Sequence, residues 1–290
     1  MYIYVNGRVM KQEEAMISPF DHGFLYGLGV FETFRVYDGH LFLFDDHYLR
    51  LMESLKQLNI EWSVTKDEAK RIVMQLLEKN NIQNAYVRFN VSAGIGEVGL
   101  QVDAYQQPTT IVFMKPLASA TAEVYEKEGV ILQTRRNTPE GPSRLKSHHY
   151  LNSVLGKREV GSDMSKEGIF LTEEGFVAEG VVSNVFFVKD LVVYTPSLQT
   201  GILNGITRKF VMRLCELGQV QVQEGLFTKE ELLQADEIFV TNSIQEIVPV
   251  VEIDNKRFVG KDGEVTKRLI HDYQRYRTSL VSRYDVKEGR

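Results

Sequence analysis

One cysteine, Cys215, stands in 290 residues. A single thiol can build neither an intramolecular disulfide nor a cysteine zinc site. Cys215 closes an amphipathic run, Phe210 to Cys215, and reads as a buried structural thiol. Basic surplus is also lacking: 34 Lys and Arg against 39 Asp and Glu leave a net charge of −5. Extended binding to a nucleic-acid backbone is therefore not expected, although a small anion held by a few local groups is. No apolar run approaches membrane-spanning length, and the N-terminus carries no charged leader with an apolar stretch behind it. No membrane partner is expected, and a reducing, cytoplasmic setting fits. Gly-x-Ser-x-Gly, His-Glu-x-x-His and Walker patterns are absent, as are repeats and low-complexity tracts. His148 and His149 are adjacent, which on a helix puts them on different faces, so no metal site is expected and a structural role, packing around Lys146, is.

What is present describes a globular chain with a sizeable core, 43% apolar and 25% charged, enough for one large domain or two ordinary ones. Tyr2 to Val5, Asn6-Gly7 and Arg8 to Met10 predict a hairpin. A glycine- and aromatic-rich loop, Ser18 to Gly29, leads into a strand, Val30 to Val36. Asp45-Asp46 precede a helix with Tyr48, Leu51, Met52, Leu55 and Leu58 on one face and Arg50 off its centre. Thr65 and Glu68 form a capping box before a second helix, which shows Ala69, Ile72, Val73, Leu76 and Leu77 on one side. The next strand alternates Val87, Phe89 and Val91 with Arg88, Asn90 and Ser92, so its polar face meets solvent or lines a pocket. The pattern fades from Lys115 to Glu128. We read an N-terminal α/β domain over 1–116, a linker over 117–128 and a larger C-terminal domain over 129–290. Both are dominated by antiparallel neighbours rather than by strand–helix alternation.

The second half carries the chemistry. A loop through Pro139-Glu140-Gly141-Pro142 runs to Lys146, where a helix-like pattern begins. A lysine amine held partly deprotonated at such a junction can attack a carbonyl; the same residue could equally be a solvated lysine at a helix start. Gly94 to Gly99 satisfies a dinucleotide-binding glycine pattern, yet no helix follows, so no helix dipole awaits a pyrophosphate. Gly201 to Arg208 opens a helix at Ile206-Thr207 and offers N–H groups and a hydroxyl to a phosphate, or is an ordinary helix start. Glu179 sits among Val177, Ala178, Val181 and Val182; it is either a surface turn residue or a carboxylate that needs a cationic or proton-donating partner, such as a protonated pyridine nitrogen. Lysine, carboxylate, phosphate turn and arginine together are what pyridoxal 5'-phosphate requires.

The chain resembles the fold-type IV pyridoxal-phosphate enzymes, a family that includes branched-chain aminotransferases, D-amino acid aminotransferases and 4-amino-4-deoxychorismate lyases. The resemblance spans nearly the whole length. It is carried by His47 to Leu51, Arg144 to Ser147, Ala178 to Phe186, Gly205 to Arg208 and Thr241 to Ser243. It implies an α/β (α+β) fold of two domains, each with a largely antiparallel or barrel-like sheet plus helices, and a homodimer. It also implies that Lys146 carries the cofactor and that Glu179 faces its pyridine nitrogen. Arg50, Ile206, Thr207 and Ser243 or Asn242 are then expected on its phosphate, and Leu203 against its ring. Ser183 and Asn184 match the motif around the carboxylate. On the substrate face Phe31, Arg88 and Asn90 are expected. D-amino acid aminotransferases carry tyrosine at Phe31 and an arginine–x–histidine pair at Arg88 to Asn90, whereas branched-chain enzymes carry glycine at Thr33 and glycines after the lysine. Ser147-His148-His149 and the Phe31-Glu32-Thr33 run make the lyases the most similar group. 4-amino-4-deoxychorismate is thus the expected substrate, and Thr33 the expected proton donor to its leaving group. An aminotransferase of the same fold is the alternative.

Overall fold

The computed structural model describes residues 1–286, and these form two compact units: Met1–Ala120 with Leu145–His149 and Arg277–Val286, and Thr121–Arg144 with Tyr150–Tyr276. The sequence-read domains, 1–116 and 129–290 about a linker over 117–128, are contiguous; the observed units are not. Leu145–His149 belongs to the first unit because its backbone pairs with a strand there, through Phe31 N–H to Lys146 O (2.9 Å) and His148 N–H to Gly29 O (2.9 Å). Arg277–Val286 returns to it because Leu43 and Asp45 N–H donate to Leu280 and Val281 O and Arg283 pairs with Asp46. Residues 287–290, the end of the expected second domain, lie outside the described ones.

The first unit contains β1 (Tyr2–Val5), β2 (Arg8–Lys11), α1 (His22–Tyr26), β3 (Gly29–Tyr37), β4 (His40–Leu41), α2 (Phe44–Gln57), α3 (Lys66–Asn80), β5 (Ala85–Ser92) and β6 (Thr109–Pro116). Its sheet runs β2-β1-β6-β5-β3-β4, antiparallel throughout. Asn6 (φ 43°) and Gly7 (φ 89°) supply the two positive φ angles that a tight, right-twisted hairpin turn demands. The capping box forms as expected: Thr65 N–H and Oγ1 both donate to Glu68 Oε2, at 2.8 and 2.7 Å. The five apolar residues predicted for α3 are all buried, and Val87, Phe89 and Val91 line the same core. On α2 the buried residues are Leu51 and Leu55 with Phe44, Asp46, His47 and Ser54, whereas Tyr48 and Met52 stay half-buried. The stripe read from the apolar residues thus lies beside a buried polar row. The Gly94–Gly99 segment is a loop with no helix after it.

The second unit contains β7 (Lys127–Ile131), α4 (Leu151–Val160), β8 (Lys166–Leu171), β9 (Val177–Gly180), β10 (Asn184–Lys189), β11 (Val192–Pro196), α5 (Ile206–Leu217), β12 (Val222–Gly225), α6 (Lys229–Leu233), β13 (Glu237–Asn242), β14 (Glu246–Ile253), β15 (Lys256–Arg257) and α7 (Glu264–Tyr276). The sheet order is β12-β11-β10-β13-β14-β7-β8-β9, and Asn184 pairs back onto Glu179, so β9 closes the sheet onto β10 in a barrel-like turn. Most pairings are antiparallel; β11–β12, β14–β7 and β7–β8 are parallel. Strand β7 begins at Lys127, inside the span read as linker, since Gly129 and Val130 already hold register with β8. Cys215 is fully buried in α5, and burial pushes its thiol up to about 12, an unreactive state.

Candidate active site

Helix α4 starts at Leu151, five residues after the start that the pattern around Lys146 suggests. The backbone of 146–148 spends its hydrogen bonds on β3 instead, with a bridge between Val30 and Ser147. Lys146 therefore sits on rigid extended chain. Its Nζ lies 4.7 Å above the Phe31 ring. The side chain is half-buried in densely packed surroundings. Burial, then the Arg50 charge, lower its amine to about 8, with Glu32 pulling the other way and Arg88 adding to the fall. A lysine so placed holds far more free base near neutrality than a solvated one.

Glu32 interrupts an apolar strand and is 3% exposed, so it must be paired. Its two oxygens accept from Arg50 Nε and NH2 (2.7 Å each), and His47 Nδ1 lies 2.6 Å from Oε2. Burial raises the carboxyl, but Arg50 and His47 outweigh it and hold it at about 2. Burial lowers His47, which therefore serves as a neutral donor to the carboxylate. The fork of Arg50 is thus fixed in one orientation by a bidentate carboxylate.

Thr33 and Arg88 stand opposite each other across β3 and β5, as do Phe31 and Asn90, so all four share one face of the sheet. The Arg88 guanidinium lies 3.6 Å over the Phe31 ring, and its Nε donates to Asn90 Oδ1 at 3.0 Å. Asn90 in turn donates to Ile111 O (3.2 Å), so it acts as the bracket for Arg88. His148 stacks on Phe31 with ring centroids 6.2 Å apart.

The other expected residues gather in the second unit. Glu179, 4% exposed, accepts from Arg136 Nε (2.9 Å) on Oε1 and from Leu203 N–H (3.0 Å) on Oε2, with Arg144 Nε at 3.7 Å. Asn184 Nδ2 donates to Leu203 O (2.8 Å), so the Leu203 backbone is clamped on both sides. Helix α5 begins at Ile206 behind Gly205, which has no side chain to cap it, and its first N–H groups are left to another acceptor. Thr207 Oγ1 lies 3.4 Å from Ser243 Oγ, so the two hydroxyls converge at that helix end. Asn242 accepts from Ile244 and Gln245 N–H (3.0 and 2.8 Å) and shapes the turn that carries Ser243. Ser183 Oγ donates to Glu167 Oε1 (2.7 Å), whose other oxygen takes Lys127 Nζ (2.8 Å). Lys127 also donates to Gln245 Oε1 (3.2 Å). Within this unit Ser183 and Asn242 thus brace the hydroxyl turn through a buried network.

Four participants escaped the sequence reading as functional groups: Glu32, His47, Arg136 and Glu167. Glu32 left a legible signal, a charge inside the apolar run Val30 to Phe34. Arg136 and Glu167 left none, because their partners lie 43 and 16 residues away.

Residues 29–253 match the model of a family described as amino-transferase class IV. The chain is 49% identical over 269 residues to the aminodeoxychorismate lyase of Bacillus subtilis (strain 168), covering 92% of each chain. Among solved structures it is similar to the Escherichia coli branched-chain amino acid aminotransferase, with a TM-score of 0.86, 32% identity and coverage of 96% of this chain and 94% of that one. It is also similar to the T.th. branched-chain amino acid aminotransferase complexed with N-(5'-phosphopyridoxyl)-L-glutamate, with a TM-score of 0.85, 30% identity and the same coverage.

Proposed function

The chain belongs to the amino-transferase class IV family, and from that premise we propose that it is a pyridoxal-phosphate-dependent 4-amino-4-deoxychorismate lyase, releasing pyruvate to leave 4-aminobenzoate for folate synthesis. The observation that carries the lyase reading is the 49% identity to the Bacillus subtilis lyase over 92% of both chains. The residues fit the cofactor. Lys146 offers a weakly basic amine for its aldehyde, and Glu179 a buried carboxylate for its ring nitrogen. The uncapped start of α5 with Thr207 and Ser243 suits its phosphate, and Arg50, whose guanidinium Glu32 orients, is the cation we assign to the same group. Leu203, held by Glu179 and Asn184, would pack on its ring.

When bound, pyridoxal phosphate supplies an electron sink that acidifies the C–H bond next to the substrate amine. Lys146 Nζ, as free base, takes that proton. Thr33 Oγ1 helps protonate the departing ether oxygen, its hydroxyl regaining a proton from the Lys146 ammonium so that the proton taken from carbon ends on the leaving group, and Arg88 holds a substrate carboxylate with Phe31 as floor. Asn90 keeps Arg88 in place. An aminotransferase acting on D- or branched-chain amino acids is the alternative. Phe31 lacks the hydroxyl, and Asn90 the imidazole, that D-amino acid enzymes use for the substrate carboxylate. We further read the active form as a cytoplasmic homodimer; among the described residues no helix is long and apolar enough to cross a membrane.

Cofactor-loaded protein supplied with 4-amino-4-deoxychorismate should release 4-aminobenzoate and pyruvate together, and Lys146→Ala should release neither. A loaded enzyme that yields no product overturns the lyase reading, and D- and branched-chain amino acids with 2-oxoglutarate then test the alternative.

A further inference from the structure

Lys146 and His148 are two residues apart on extended chain, so their side chains leave the same face. Both meet Phe31: Lys146 Nζ lies 4.7 Å over its ring, and the His148 imidazole stacks on it at 6.2 Å with 27° between the planes. Arg88 lies over the same ring at 3.6 Å. His148 is wedged in place because its strand partner is Gly29; a Cβ there would fall 2.6 Å from His148 Cε1 and 2.7 Å from Nδ1. The imidazole is fixed, yet its Nε2 is buried and has no hydrogen-bond partner among the described residues. Buried polar atoms are almost always paired, and one left over on the face that carries Lys146 and Arg88 calls for a partner that a ligand there can supply.

We propose that His148 is a specificity-determining residue, its Nε2–H donating to a carboxylate oxygen of the substrate beside Arg88. The assignment rests on the lyase reading for the identity of that substrate. Burial, then the nearby Arg88 charge, lower the imidazole to about 4, so near neutral pH it offers one N–H and no charge. A neutral donor suits this place: a second cation would oppose Arg88 before the substrate arrives, whereas an N–H adds direction to a carboxylate that the guanidinium already attracts. An apolar side chain at position 148 would fill the same space and leave Arg88 to bind any anion.

4-amino-4-deoxychorismate has two carboxylates; 4-aminobenzoate keeps one and pyruvate takes the other. The test compares His148→Phe, which keeps the ring stack, with His148→Gln, which returns an N–H near the place of Nε2, both as cofactor-loaded enzymes. In His148→Phe we expect KM to rise about 10- to 100-fold, the range of a lost bond to a charged group, with kcat within about threefold. Inhibition by whichever product carries the recognised carboxylate should weaken by the same factor, and His148→Gln should recover most of both losses. Cofactor absorbance and Tm should stay as in the wild type. The proposal falls if His148→Phe keeps its KM and product inhibition, if His148→Gln is no better than His148→Phe, or if the variants lose cofactor and activity together. Should the wild type release no 4-aminobenzoate, the lyase reading falls separately. Titration of wild type and His148→Phe with benzoate, read from the cofactor spectrum, then decides: equal affinities overturn the role of His148, and a weakened variant sustains it.

Discussion

In the proposed reaction two opposed demands meet at Lys146: its amine must be basic enough to take a proton and neutral enough to react. Burial, Arg50 and Arg88 resolve this by lowering it to about 8. At pH 7 about one amine in ten is then free, against about three in ten thousand for an unperturbed lysine. Cofactor uptake by the apo-enzyme, followed by absorbance, should therefore rise nearly tenfold per pH unit below 8 and level off above it. Glu32 is the anion that opposes the lowering, so Glu32→Gln should move that plateau to lower pH; an upward move would contradict the assignment. The same shift has a stability sign. Between about 8 and 10.5 the unfolded chain binds more protons at this site than the folded one, so stability rises with pH in that window. Lys146→Met, freed of that cost, should melt above the wild-type apo-enzyme at pH 7 by roughly 1–3 kcal/mol of stability, with the gap closing by about pH 10.5.

Each of the two elements proposed to face the ligand is held by something other than its own propensity. Residues 146–148 are straight because β3 takes their hydrogen bonds, and the start of α5 is open because Gly205 stands there. An added Cβ at Gly205 would fall on Asn184 Oδ1, displacing the amide that clamps Leu203. Glycine to alanine at an N-cap costs under about 1 kcal/mol by itself. Gly205→Ala should exceed that, losing roughly 1–3 kcal/mol in denaturant unfolding and weakening cofactor binding in the same variant. Glu167→Gln acts on the other brace: with its charge gone, Lys127 stays buried without a counter-ion. Cofactor retention in dialysis should drop while the charge at Lys146, read from the uptake profile, stays where it was.

At the scale of the molecule, each unit owns a core, the first including Trp62, whose Nε1 donates to Thr110 Oγ1 at 2.9 Å. This lone tryptophan reports on the first unit, where Lys146 also lies. Saturating cofactor at about a hundred times its Kd should add about 2.7 kcal/mol and raise the melting temperature seen by Trp62 fluorescence by several degrees. Lys146→Ala, lacking the amine proposed to hold the aldehyde, should show a much smaller rise. Sedimentation of the loaded enzyme should give twice the chain mass, and a monomer with full activity would contradict the homodimer reading.

By itself the sequence determined most of what is local. Periodicity placed α3 and the buried side of β5, Asn-Gly placed the first hairpin, and Thr65 with Glu68 placed a helix start, because propensity, alternation and capping act within a few residues. Motif order likewise pointed to Lys146, Glu179, Arg50 and the Gly205–Arg208 turn as candidates for the site. Only the tertiary structure decided what those residues are worth chemically. It moved Lys146 from a helix start onto a strand edge, because a hydrogen bond to β3 outweighed local helical pattern. It turned Asn90, Ser183 and Asn242 into supports, and it set Glu32, Arg136 and His148 beside partners 15 to 117 positions away. Protonation, orientation and an unmade hydrogen bond depend on burial and on neighbours brought from far along the chain, and no window of sequence contains them.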